Sequence, residues 1–217
     1  MENSIEIEGL IKKYPTQKSK NAINELSLAI PKGQLFGLIG PDGAGKTTTL
    51  RIISTVMKPT SGSVRVLGHD VVREAEDLRP RIGYMPQNFS LYPDLSVIEN
   101  LNFFADLNQV RGSKRGPRIE EMLSFTRLDR FQSRRAANLS GGMKKKLALA
   151  CALVHSPEVL LLDEPSTGVD PVSRRELWVM LAEVVASGVT VLVSTPYMDE
   201  ADRCNQVGIL YDGYLLD

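Results

Sequence analysis

Eight consecutive residues, Gly40-Pro41-Asp42-Gly43-Ala44-Gly45-Lys46-Thr47, limit the folds open to this chain. Gly40, Gly45, Lys46 and Thr47 fill the spacing G-x-x-x-x-G-K-[ST]. That spacing needs a strand before it and a helix after it. Only then do the loop N–H groups converge on one anion while the helix points its positive end at the same place. The glycines supply backbone conformations that a Cβ forbids. Lys46 has the reach for the outer phosphates of a triphosphate, and the Thr47 hydroxyl suits Mg2+. Both flanks comply. Leu35-Phe36-Gly37-Leu38-Ile39 is a short apolar run suited to a buried strand, and Thr48-Thr49-Leu50-Arg51-Ile52-Ile53 continues as a helix. Pro41, Asp42, Gly43, Ala44 and Thr48 complete the residues expected around the phosphates.

The bulk properties narrow the field further. A chain of 217 residues buries a substantial core without disulfide or metal staples. Lys plus Arg number 26 and Asp plus Glu number 26, which argues against a nucleic-acid binder relying on a broad basic face. The two cysteines, Cys151 and Cys204, have no metal-like spacing and read as free thiols, Cys151 as core. Met1-Glu2-Asn3-Ser4 is polar and starts no secretion signal. The longest apolar run, Leu147 to Val154, is far too short to span a bilayer. Any membrane contact is expected through a partner, with the chain in the cytoplasm.

Patterning along the chain predicts two regions. Ile5–Glu8, Ile23–Ile30 and Ser63–Val66 alternate or turn as antiparallel strands, mixed with the strand that carries the loop. Helical spacing runs from Ser96 to about Val110, with Ser96 and Glu99 forming a capping box. Gly112 to Pro117 reads as a break, followed by helices over Arg118–Phe125 and Met143–His155. Val159–Leu162, Val189–Val193 and Val207–Leu210 read as buried strands around a helix from Pro171 to about Ser187. No repeat or low-complexity segment is visible. The expected class is α/β, with a parallel sheet forming a P-loop NTPase core.

Further motifs carry chemistry. Asp163 and Glu164 end the apolar Leu160-Leu161-Leu162, near where parallel folds place ligands. Asp163 suits Mg2+, and Glu164 suits polarising an attacking water. In Leu139-Ser140-Gly141-Gly142-Met143, Ser140 can cap a helix while Gly141 and Gly142 leave N–H groups open to an anion. Lys144, Lys145 and Lys146 then crowd the helix start, where the macrodipole disfavours cations. That suits a docking anion or, for each lysine alone, a solvated basic face.

These segments resemble the ATP-binding cassette (ABC) family, whose signature is Leu-Ser-Gly-Gly-Gln, and the resemblance covers the whole chain in family order. It implies an N-terminal antiparallel β subdomain and a helical signature subdomain at about 88–155. It implies ATP and Mg2+ as ligands, with Lys46, Gln87 and Glu164 catalytic and Thr47, Gln87 and Asp163 on the metal. Tyr14, before the loop, looks like the aromatic that stacks on adenine. Ser166-Thr167-Gly168-Val169-Asp170 resembles the loop that crosses between cassettes. Ser140, Gly141 and Gly142 would close over nucleotide held by a second cassette in a head-to-tail pair. The pair would drive a transmembrane permease whose coupling helix docks near Phe89 to Phe104.

The sequence departs from the family at one catalytic position. Pro196 stands where the switch histidine is expected, and Met143 replaces the signature glutamine. Proline has neither a side-chain donor nor a backbone N–H. The expectation is MgATP binding with slow hydrolysis at this chain's own site. The Gly-Pro-Asp-Gly-Ala-Gly-Lys loop, the Leu-Ser-Gly-Gly-Met signature and the non-histidine switch resemble the first cassette of bacterial tandem ATPase subunits that serve ABC-2-type drug exporters. The implied place is the cytoplasmic face of the inner membrane, peripheral, with membrane contact only through the permease. The chain stops just past a hairpin turn at Asp212-Gly213, and a fragment of a longer polypeptide is expected. Two alternatives are a soluble ABC ATPase and a non-catalytic ATP-binding regulatory cassette.

Overall fold

The alternating N-terminal segments build a sheet of their own. In the computed structural model, which describes residues 2–15, 21–88 and 91–216, β1 (Asn3–Lys12) pairs antiparallel with β2 (Ile23–Pro31). Phe89, named above for the permease groove, lies outside the described residues. The chain then runs through β3 (Leu35–Ile39), α1 (Lys46–Ile53), β4 (Ser61–Val66), β5 (His69–Asp70) and α2 (Ala75–Leu78). It continues through β6 (Ile82–Met85), α3 (Val97–Leu107), α4 (Arg115–Thr126) and α5 (Gly141–Leu153). The last elements are β7 (Val159–Asp163), α6 (Pro171–Ala186), β8 (Thr190–Thr195), β9 (Gln206–Tyr211) and β10 (Tyr214–Leu216).

Two sheets result. One is antiparallel, in the order β2-β1-β4-β5. The other has the order β10-β9-β3-β8-β7-β6 and is parallel except for the edge strand β10. Every residue of β3, β7 and β8 is buried, as continuous apolar runs covered on both faces require. One core lies between the antiparallel sheet, α1 and one face of the parallel sheet, around Ile5, Leu38, Leu50, Leu161 and Leu192. A second core joins the opposite face to α3, α4, α5 and α6, around Leu101, Met122, Leu149, Leu162 and Leu181. The architecture is thus an α/β core flanked by an antiparallel β layer and a group of helices.

Parallel pairing does the positioning. Ile39 pairs with Thr195, Asp163 with Ser194, and Met85 with Leu162. The C-terminal ends of β3, β8, β7 and β6 therefore open on one edge, where a doubly covered sheet places its ligands. The Ser96 cap is as the sequence predicts, and α6 has a cap that the sequence reading did not name. Ser96 N donates to Glu99 Oε2 at 2.7 Å, and Asp170 accepts from Val172 N and Ser173 N ahead of Pro171.

One boundary differs from the pattern. Gly112 to Pro117 is not a break throughout: Gly112–Lys114 form a 3-10 turn and α4 starts at Arg115, with Pro117 in its first turn. A first-turn N–H has no partner within the helix, so proline costs nothing there. The strands β5 and β10 and the helix α2 are too short to leave a periodic signal.

Helix α5 sits very close to β6. A Cβ on Gly83 would lie 2.4 Å from the Ala152 carbonyl oxygen, with no flexible side chain to yield. Gly83→Ala should therefore destabilise the fold by about 1–3 kcal/mol. Thermal denaturation should show a midpoint lowered by about 2–4 °C per kcal/mol in a chain of this size. An unchanged midpoint would contradict the seating of α5 on β6.

Candidate nucleotide-binding site

The loop between β3 and α1 is fixed from below. A Cβ at Gly40 would sit 2.1 Å from the Leu210 carbonyl oxygen, so only glycine lets β9 pass beneath the loop. Gly45, at φ 109°, turns the chain into α1 from the left-handed region. Lys46 is 3% exposed and folds back over the loop. Its Nζ donates to Gly40 O at 2.7 Å and Pro41 O at 3.0 Å, and lies 3.4 Å from Glu164 Oε1. The loop is thus pre-shaped around one cation.

The acidic pair ends β7 at the same edge. Asp163 Oδ1 accepts from Thr47 Oγ1 at 3.1 Å and from Ser194 Oγ at 2.7 Å. Its second oxygen, Oδ2, is buried and has no hydrogen-bond partner among the described residues. A buried carboxylate oxygen without a donor is costly. A hard cation between it and the Thr47 hydroxyl would remove that cost, so the donor set fits Mg2+.

Glu164 is 5% exposed and held at φ 50°, a strained backbone for a side chain of its kind. The strain is over-determined by its surroundings. Oε2 accepts from Gln87 Nε2 at 2.9 Å and Thr167 Oγ1 at 3.3 Å. The backbone N–H donates to Ser194 O and Oγ, each at 3.1 Å, and the carbonyl accepts from Lys145 Nζ at 3.2 Å.

That last contact corrects the reading of the lysine run. Lys145 is buried, and burial lowers its pKa, opposed by the nearby charges of Glu164 and Asp163. Lys146 is paired with Glu176 on α6. Neither forms a solvated face or waits for an anion; α5 turns both inward. Ser140 caps α5, with Met143 N donating to its Oγ at 3.3 Å. A Cβ on Gly142 would meet Ser173 Oγ at 2.3 Å, so the start of α5 is packed on the first turn of α6.

A cavity of about 380 Å3 opens at this edge. Its walls are Tyr14, Asp42, Gly43, Gly45, Lys46, Thr47, Thr48, Gln87 and Glu164, joined by Asn21 and Ala22. The volume is in the range that encloses a small molecule. Tyr14 OH is hydrogen-bonded with Thr48 Oγ1 at 3.2 Å, tying the aromatic to α1. A larger cleft of about 530 Å3, around Phe125 and Val184, holds none of the motif residues, and chemistry rather than size selects the smaller one. Ser140, Gly141 and Gly142 lie outside the cavity.

Sequence reasoning named Thr167 and Lys145 without their contacts to Glu164, and missed Asn21, Ser194 and Thr195. The last two carried a signal: they end an apolar strand as Asp163 and Glu164 do. Pro196 follows β8, and no histidine compensates for it. His69 pairs with Glu74, and His155 Nε2 lies 3.2 Å from Ile82 O.

Comparison with known proteins agrees with this geometry. The family model for ABC transporter matches residues 23–167, more than half of the chain. The "Probable multidrug ABC transporter ATP-binding protein YbhF" of Escherichia coli (strain K12) is 50% identical over 212 residues, 98% of this chain and 36% of that protein. The "Daunorubicin resistance ATP-binding protein DrrA3" of Streptomyces coeruleorubidus is 40% identical over 202 residues, 93% of this chain and 63% of that protein. The chain thus spans about a third of the length of the first relative. The fold superposes on the dimeric post-hydrolysis state of the ATP-binding cassette MJ0796, bound to ADP and Pi, with a TM-score of 0.87. The two are 28% identical, and the match covers 98% of this chain and 97% of that one. Among the described residues, no helix is long and apolar enough to cross a membrane. A phosphate loop, an acidic pair and a capped Ser-Gly-Gly turn on one α/β core, with these relatives, show that the chain belongs to the ABC transporter family of ATP-binding cassettes.

Proposed function

We propose that this cassette binds MgATP in the cavity beside α1 and powers an export transporter of the ABC-2 type. Paired head to tail with a second cassette, it closes over nucleotide and drives a transmembrane permease. The observation that carries the reading is the meeting of Lys46, Thr47, Gln87, Asp163 and Glu164 at the carboxyl edge of one parallel sheet. The multidrug and daunorubicin-resistance names of the relatives favour drug export as the task.

Each residue has a defined task. The N–H groups of the loop and the positive end of α1 receive the phosphates. Lys46 exchanges its contact with Glu164 for phosphate oxygens, which leaves that carboxylate with Gln87 and Thr167. Glu164 then accepts a proton from the water that attacks the γ-phosphorus, while the bond from that phosphorus to the β-phosphate oxygen breaks. Bound Mg2+, held by Thr47, Asp163 and Gln87, would neutralise charge developing on the phosphate oxygens. Tyr14 offers a ring to adenine.

The remaining assignments follow from the same reading. The helical segment at about 88–155 is the subdomain that carries the signature Ser140-Gly141-Gly142, offered to the nucleotide of the partner cassette. The permease docks beside the segment after Gln87. There Tyr92 and Phe103, both exposed, stack edge to face at 4.4 Å and present an aromatic surface. The chain sits on the cytoplasmic face of the inner membrane, held by that permease. Pro196 supplies no donor to the γ-phosphate, which slows hydrolysis at this site. A second reading follows from the same residue: an ATP-binding cassette that gates its partner without turning over.

Three substitutions test these roles through nucleotide binding and turnover. Lys46→Ala should weaken ATP binding at least tenfold, because the phosphates lose their cation and face Glu164 unshielded. Retained affinity would sink the phosphate-loop reading. Glu164→Gln should keep or tighten binding while lowering turnover by about 10²–10⁴. Turnover surviving that change would remove Glu164 from its role. Pro196→His should raise turnover above that of the native chain. A native chain that binds ATP without hydrolysing it, and is not rescued by histidine, would favour the gating reading.

A further inference from the structure

Behind the acidic pair lies a network of residues that no motif contains. The Glu200 carboxylate is 0% exposed. A buried charge needs a partner and donors, and Glu200 has three donors. Arg174 Nε donates to Oε1 at 2.7 Å, Trp178 Nε1 donates to Oε1 at 3.0 Å, and Thr195 Oγ1 donates to Oε2. Arg174 and Trp178 lie one turn apart on α6, and Thr195 ends β8. The Thr195 hydroxyl also accepts the Tyr197 N–H at 3.1 Å. This bond spans Pro196, which has no N–H of its own. Arg174 further reaches Asp199 Oδ2 at 2.9 Å and lies 4.8 Å from the Tyr197 ring centroid.

The anchored strand end is the same one that orients the acidic pair. Ser194, next to Thr195, donates to Asp163 Oδ1 and accepts the Glu164 N–H. Thr47 donates to the same Oδ1. With Oδ1 fixed by two hydroxyls, the direction of the unpartnered Oδ2 is set by where β8 ends.

We propose that Glu200 and Thr195 are positioning residues for Asp163: they fix the end of β8 on α6 and, through Ser194, aim Oδ2 at the Mg2+ position beside Thr47. The inference rests on the reading above, that Asp163 and Thr47 hold the metal. Neither Glu200 nor Thr195 lines the nucleotide cavity, and both are fully buried. They act through Ser194, as the outer partners of a metal ligand do.

The test measures affinity for a non-hydrolysable ATP analogue with and without Mg2+. It uses the native chain, Thr195→Val, Thr195→Ser and Glu200→Gln, each with its thermal midpoint. Valine keeps the shape of threonine and loses the hydroxyl; serine keeps the hydroxyl. Metal-free affinity should be unchanged in the three variants, because the one bond from this strand end to the loop, Gly40 N–H to the Thr195 carbonyl at 3.2 Å, is main chain and no substitution removes it. The gain in affinity on adding Mg2+ should fall about tenfold in Thr195→Val and Glu200→Gln and be retained in Thr195→Ser. An undiminished gain in Thr195→Val, or an equal loss in Thr195→Ser, would overturn the proposal. If Glu200→Gln fails to fold, the valine and serine variants decide. A native chain that binds no nucleotide would sink the function proposed above and this inference with it. One that binds nucleotide but gains nothing from Mg2+ would sink the metal assignment, and equally this inference.

Discussion

The site depends on parallel strand pairing. Because β3, β8, β7 and β6 run the same way and in register, their ends deliver the phosphate loop, Ser194 and Thr195, the acidic pair and Gln87 to one edge. None of these segments is near the others in sequence, and no local interaction would bring them together. The cores on the two faces of the sheet hold the strands in place, since β3, β7 and β8 expose no residue. Hydrophobic burial thus does catalytic work at a distance: it sets distances of about 3 Å between polar groups that come from four separate strands.

The charge balance at that edge explains why nucleotide is received there. Lys46, Lys145, Asp163 and Glu164 are each no more than 5% exposed. Two ammonium groups face two carboxylates, so the four charges nearly balance one another. A triphosphate breaks that balance, adding several negative charges where desolvation makes each one expensive. The loop N–H groups answer part of that charge, and in the function proposed above a divalent cation would answer most of the rest. The unpartnered Asp163 Oδ2 and the strained Glu164 are the marks of a site built for a ligand rather than for its own stability.

Much of this was legible from the residues alone. The loop Gly40–Thr47 has a spacing with one chemical meaning, and the acidic pair, ordinary by itself, takes its meaning from the motifs around it. The buried strands announce themselves as unbroken apolar runs, and Ser96 and Ser140 as caps. What was not legible depends on side-chain direction. The lysines 144–146 look alike in sequence, but helical geometry turns Lys145 towards Glu164 and Lys146 towards Glu176. Pro117 reads as a breaker because proline is judged without its position, and in a first turn it does no harm. The Glu200 network left no trace, because its members sit on α6, β8 and the turn that follows β8, and each alone is an ordinary polar residue.

Gly142 packed on Ser173 has a consequence for cassettes of this kind. The Ser140-Gly141-Gly142 turn and the clamp behind the acidic pair are seated on the same helix, α6. Shifting α6 by the width of a methyl group would disturb both at once. If Pro196 slows the chain's own site, as proposed above, that side of the molecule is still not free to drift. Under that reading, the Ser-Gly-Gly turn could serve another nucleotide only if α6 kept its place, whatever the speed of the chain's own site.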